Sequence, residues 1–285
     1  MLIESVFLAL PEGDGTWQAL TQIFQPVRNH MPVMQIYERP VALDRNIHKE
    51  VRVNSTGNFS FASSCQTAIV AAVELNQAIK EFPIVFVKEN DNFLPMAIFG
   101  LQQNQNLFVD ESGQWTARYT PAFIRRYPFV PALGQTDDDS MTVCIDEAAE
   151  CVNRDHGEPL FFDGRNSALL ERTIQFLQDY KAQTDATIVL VKQLADAGLL
   201  SEKTANFKLN DGSTFNLAGF FTIDTEKLST LSPEAVHAMF QSGALHVAYL
   251  HLASLDNWDR LIGLQAKRPL VKTEKDSSHL AMAHA

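Results

Sequence analysis

The chain reads as an α+β protein: an antiparallel β-rich N-terminal half packed with a helical C-terminal half that carries one β-hairpin. Three observations point there. Across residues 81–130, short strand-like apolar runs follow one another over polar turns, with no helix-length connection between them. That is the pattern of a meander, because parallel strands need a crossover of a dozen residues or more. From Asn166 onward, apolar residues recur at three- and four-residue spacing, the period of an amphipathic helix. Within that half, FKLNDGSTFNL alternates Phe207/Leu209 and Phe215/Leu217 about an Asp-Gly turn, a strong hairpin signal.

The elements follow in order. Residues 1–33 read as an N-terminal extension, and Met31 or Met34 would start the chain near the rest of the pattern. Residues 34–266 read as one domain, because no Pro/Gly/Ser-rich linker divides them. VMQIYE, from Val33, is strand-like, and LDRNIHKEVRV ends extended. Residues 67–80 have amphipathic-helix spacing, and Pro83 stops them. Residues 84–87 and 95–101 are expected strands across the turn KENDN, 107–109 a third, ESGQW a turn at Gly113, and 142–145 a further strand. GEPLF reads as a turn into a short strand.

Asn166 or Ser167 can cap a long helix to about Ala197, with Leu170, Ile174, Leu177, Tyr180, Ile188 and Val191 inward. Gly198 is placed to end it. Ser232-Pro233-Glu234 opens the next helix with a hydroxyl cap, an N1 proline and an acidic first turn, and Gly243 ends it. Residues 244–264 form the expected last helix, with Leu245, Tyr249, Leu252, Leu255 and Ile262 inward and Asn257 and Trp258 on the opposite face. The polar, irregular tail 267–285 reads as disordered.

Composition narrows the function. The 285 residues carry a net charge of −11, with a pI of about 5.1. Neutralising phosphates needs a basic surface, so nucleic-acid binding and docking on anionic membrane are both disfavoured. No apolar run approaches the roughly 20 residues that cross a bilayer. The start carries Glu4 where a secretory n-region would carry Lys or Arg, so it does not read as a signal peptide. Three widely spaced cysteines, Cys65, Cys144 and Cys151, suggest free thiols in a reducing compartment. The expectation is a cytoplasmic protein.

No motif assigns a reaction: GxSxG, GxGxxG and GxxxxGK are all absent from the sequence. The eight histidines show no ligand spacing, so no metal or cofactor is expected. The densest binding signal is Trp115, Arg118, Tyr119, Arg125, Arg126 and Tyr127. Planar guanidinium forks beside aromatic faces suit an anionic or aromatic small molecule or peptide. The same arginines can instead pair with Asp110, Glu111 or the acidic run at 137–139. His48, in RNIHKEV, joins the candidate ligand-binding set, although a lone histidine is more often structural. An enzyme reading would use His48, Asp146 and Glu158 as acid–base groups. Cys65 reads as a buried structural thiol.

One ordered series of segments is more specific than any single piece: LDRNIHKEVRV, FPIVF, LPMAIFGL, NLFVD…GQWTARYTPAFIRRYPF, GEPLF, GFFTIDTEKLSTL and HLASLDNWDRL. Over about residues 41–264 the chain resembles the bacterial SapC family, a surface-layer-related family and not the like-named permease of peptide transporters. The resemblance implies an accessory role near small-molecule or peptide modification or nutrient uptake. In that setting the partners would be flavin-dependent halogenase-like or cupin-type oxygenase-like proteins, beside TonB-dependent receptors. It supplies no catalytic residues. A non-catalytic binding protein is therefore the leading expectation, with an enzyme and a surface-layer structural protein as its alternatives.

Overall fold

The computed structural model describes residues 36–54, 57–133, 141–209 and 212–268. The N-terminal extension, the start of the VMQIYE run, the acidic run at 137–139 and the tail beyond Arg268 lie outside the described residues.

A five-stranded antiparallel sheet of order β12-β13-β4-β5-β3 organises the molecule. Its strands are β3 (Thr67–Ile69), β4 (Ile84–Glu89), β5 (Asn92–Ile98), β12 (Leu200–Lys208) and β13 (Thr214–Ile223). The expected hairpin is the β12–β13 pair, with Phe207 opposite Phe215. It joins the N-terminal strands where Phe221 of β13 meets Phe86 of β4. Residues 84–87 are buried on both faces, which is why β4 is a continuous apolar run instead of an alternating one.

Helix α1 (Leu75–Ala78) precedes β4, and α2 (Ala122–Arg125) precedes β6 (Phe129–Leu133). The long α3 (Ala168–Asp196) lies against β5 and α6 (Ala244–Ser254). Its cap is the expected one: the Ser167 hydroxyl accepts from the Leu170 N–H. Its end is also as expected, with Gly198 N–H bonded to Ala195 O and Leu199 N–H to Leu194 O. That is a Schellman closure, with Gly198 at φ 69°. Short α4 (Thr225–Ser229) and α5 (Pro233–Ser242) come before α6, and α7 (Asn257–Gln265) follows it.

A second sheet, β1 (Pro40–Ala42), β7 (Met141–Asp146) and β6, lies toward the start of α3. Phe129, Ile145, Leu160, Leu170 and Leu177 form the smaller core there. Minor strands β2 (Arg52–Val53), β8 (Val152–Asn153) and β9 (Glu158–Pro159) form a third sheet, and β10 (Phe161–Phe162) pairs with β11 (Arg165–Asn166).

Several expectations are corrected. Residues 67–80 are not one helix but β3, a 3-10 turn (Ala72–Glu74) and α1. All three residues of β3 are buried, which suits a covered strand and leaves no exposed face for an amphipathic helix. The described part of VMQIYE is a bend, and strand pairing starts at Pro40. The N–H groups of its Glu38 and of Arg39, the residue that follows, go to the Asp146 carboxylate instead of to a ladder. Residues 107–109 form no strand beyond a single bridge between Val109 and Trp115, because the Asn106 side chain takes the Phe108 N–H.

The last helix is two helices, broken at Leu255 and Asp256. The buried side of α6 is Ala244, Val247, Ala248, His251 and Ser254, while Tyr249 is 57% exposed. Small side chains let α6 approach the sheet closely, and large ones at the contact would hold it off. Asn257 and Trp258 point inward. Asn257 donates to Ile79 O, Phe82 O and Ser254 O, and Trp258 packs on Phe207 and Phe220.

Candidate functional site

Between the two sheets' connections and the first turns of α3 lies a cleft of about 920 Å³. Its walls come from residues 36–38, the loop 57–61, the α2–β6 segment 124–129, the end of β7 with the following turn, and Leu169 to Phe176 of α3. Aromatic faces dominate one side. Phe61 and Tyr127 stack at 3.8 Å with an interplanar angle of 9°, and Tyr37 lies 5.6 Å from Tyr127.

Arg126 is the unusual group. It is only 7% exposed, and no carboxylate lies within 4.0 Å of it among the described residues. Its guanidinium sits over Phe123 at 4.3 Å, Tyr180 at 5.1 Å and Tyr37 at 5.7 Å. Its Nε donates to the Tyr37 hydroxyl at 3.0 Å, which in turn donates to Phe129 O. Burial pushes the Tyr37 hydroxyl up to about 12, so it stays a neutral partner at physiological pH. Arg125 sits at the exposed rim, with Nε on Thr120 O and the guanidinium over Phe176 at 5.3 Å.

Asp146 lines the same cleft and is 1% exposed. Its carboxylate accepts the N–H groups of Glu38 at 2.9 Å, Arg39 at 2.8 Å and Ala148 at 3.1 Å. No cationic side chain lies within 4.0 Å of it among the described residues. Cys151 is also in the wall, but burial pushes its thiol up to about 11, which removes the thiolate needed for a nucleophile.

The sequence-selected residues divide. Arg125, Arg126 and Tyr127 line the cleft; Trp115, Arg118, Tyr119 and His48 do not. Trp115 packs among Phe59, Phe82, Phe99 and Phe108 and donates to Tyr119 O. The Tyr119 hydroxyl donates to Glu74 at 2.6 Å, and that carboxylate also takes the Ala71 and Ala122 N–H groups. Arg118 is exposed. His48 is buried against its own turn: its Nδ1 accepts from the Asp44 N–H, and its Nε2 meets Glu147 at 3.3 Å.

The three acid–base candidates are not assembled in one cavity. Asp146 alone lines the cleft, and Glu158 is exposed and paired with Arg172. Cys65 is buried, with its thiol pushed up to about 12 by that burial. Tyr37, Phe61 and Asp146 are among the cleft residues that sequence spacing did not single out as ligand contacts. They lie 89, 65 and 20 positions from Arg126, and only the fold brings them together.

Among the described residues no helix is long and apolar enough to cross a membrane, and no group of three or more His, Cys, Asp or Glu could hold a metal ion. No curated protein and no solved structure matches the chain. A family model, SapC, matches residues 43–261, which takes in the five-stranded sheet, strands β6 and β7 of the second sheet, most of the cleft wall and α3 to α6; β1 and the Ile36–Glu38 wall precede it. The chain belongs to the SapC family.

Proposed function

We propose that the protein is a non-catalytic binding protein of the bacterial cytoplasm. It holds an anionic, partly apolar small molecule or peptide in the cleft, as an accessory to modification or uptake systems. One observation carries this reading: Arg126 is a buried guanidinium without an ion-pair partner among the described residues, and it faces a cleft walled by aromatic rings. A buried charge is costly unless something compensates it. The rings and one phenol compensate in part, and a carboxylate or phosphate on the Nη atoms would complete the set.

The experiment is native mass spectrometry of the full chain with 3-phenylpropionate and phenyl phosphate, compared between wild type and Arg126→Met. Saturable binding of at least one probe to the wild type is expected. Losing a buried charged contact costs about 2–5 kcal/mol, so the variant should bind at least ~10-fold more weakly. Equal binding by both proteins, or none by the wild type, would overturn the reading.

A further inference from the structure

The cleft holds two buried charges of opposite sign that do not meet. Arg126 and Asp146 both line it, yet neither has an oppositely charged side chain within 4.0 Å among the described residues. Each is held by neutral groups, Arg126 by rings and a phenol, Asp146 by three backbone N–H groups. One short strap keeps them apart. Tyr37 accepts from Arg126, while the next two residues, Glu38 and Arg39, give their N–H groups to Asp146. If the fold needed these charges only to neutralise each other, direct pairing would do it more simply.

From this arrangement we infer that the ligand is an ampholyte of peptide size. Its acidic group meets Arg126, an amine meets the wall formed by Asp146 and Glu150, and an apolar body lies along the stacked Phe61 and Tyr127. The inference rests on the anion-binding reading above and adds the second charge. Glu150 is exposed at the cleft and carries no ion pair among the described residues, so it extends the negative wall to the rim. Burial raises the Tyr127 hydroxyl, with Asp146 and then Glu150 among the charges adding to the rise. A simple dianion would confront Asp146, and a simple cation would confront Arg126. The volume of about 920 Å³ suits a short peptide better than a single small acid.

Isothermal titration of the full chain with three forms of one probe tests this. The forms are free phenylalanyl-phenylalanine, its N-acetyl derivative without the amine charge, and its C-terminal amide without the carboxylate. The free dipeptide should bind at least ~10-fold more tightly than either capped form. In Glu150→Gln, the penalty for acetylation should shrink while the penalty for amidation stays. Unchanged affinity on acetylation, with amidation still weakening binding, would overturn the ampholyte and leave the anion site standing. Unchanged affinity on amidation would overturn both. No saturable binding of any form up to about 10 mM would overturn the ampholyte assignment, with the anion site judged by the phenylpropionate and phenyl phosphate probes.

Discussion

His251 shows at the scale of one residue how this core treats a titratable group. Its ring is fully buried, 4.7 Å from Phe86, with Nε2 accepting from the Ile223 N–H and Nδ1 unpartnered among the described residues. Burial lowers its pKa from 6.5 to about 4. Between those values the unfolded chain binds more protons than the folded one. The contribution of His251 to stability should therefore be complete above pH 6.5 and decline as pH falls toward 4, by up to about 3 kcal/mol. His251→Gln keeps an acceptor for Ile223 and should flatten that slope, as read by urea unfolding from pH 4 to 7. An unchanged slope would assign the effect elsewhere. The sequence places this histidine within the helical span 244–264, but it could not show the absence of a partner. That depends on which strand lies opposite.

At the scale of elements, local signals succeeded where the chemistry is local. The Ser167 cap, the Gly198 closure and the Ser232-Pro233 start need only neighbouring residues, and each forms as expected. The signals failed where a distant group overrides them. An unbroken helix over 244–264 was the periodicity reading, yet Asn257 is drawn to carbonyls 175 and 178 positions away. Asn257→Ala would leave the buried Phe82 carbonyl and its neighbours short of a donor. It should cost about 1–3 kcal/mol in chemical denaturation, whereas a loss under about 0.5 kcal/mol would be that of an ordinary surface change. The bend at Glu38 and Arg39 has the same origin, since a carboxylate 107 residues away takes the N–H that a strand would use.

For the whole molecule, the decisive link is the single registered pair Phe221–Phe86, where the C-terminal hairpin enters the N-terminal sheet. Composition and periodicity predicted a β-rich half and a helical half, and both are present. Neither could reveal that the hairpin of one half completes the sheet of the other, because strand pairing across 135 residues leaves no periodic trace. The shared core predicts one cooperative transition. Trp115 reports on the N-terminal half and Trp258 on α7. With Trp17 also replaced by Phe in both variants, fluorescence unfolding of Trp115→Phe should match its own circular-dichroism midpoint, and so should that of Trp258→Phe. Separate fluorescence and dichroism midpoints in either variant would mean that the halves melt independently.

The cleft's purpose comes down to whether the fold needs the Arg126 charge. Methionine approximates the stem's volume, keeps contact with Phe123 and Tyr180, and removes a desolvated charge. Replacing buried charges with apolar groups of similar volume is often neutral or stabilising by about 1–4 kcal/mol. The most direct measurement is therefore the equilibrium unfolding free energy of Arg126→Met against wild type. Unchanged or increased stability is predicted, the signature of a charge kept for a ligand. A loss of more than about 3 kcal/mol would contradict the account and make Arg126 a structural strut.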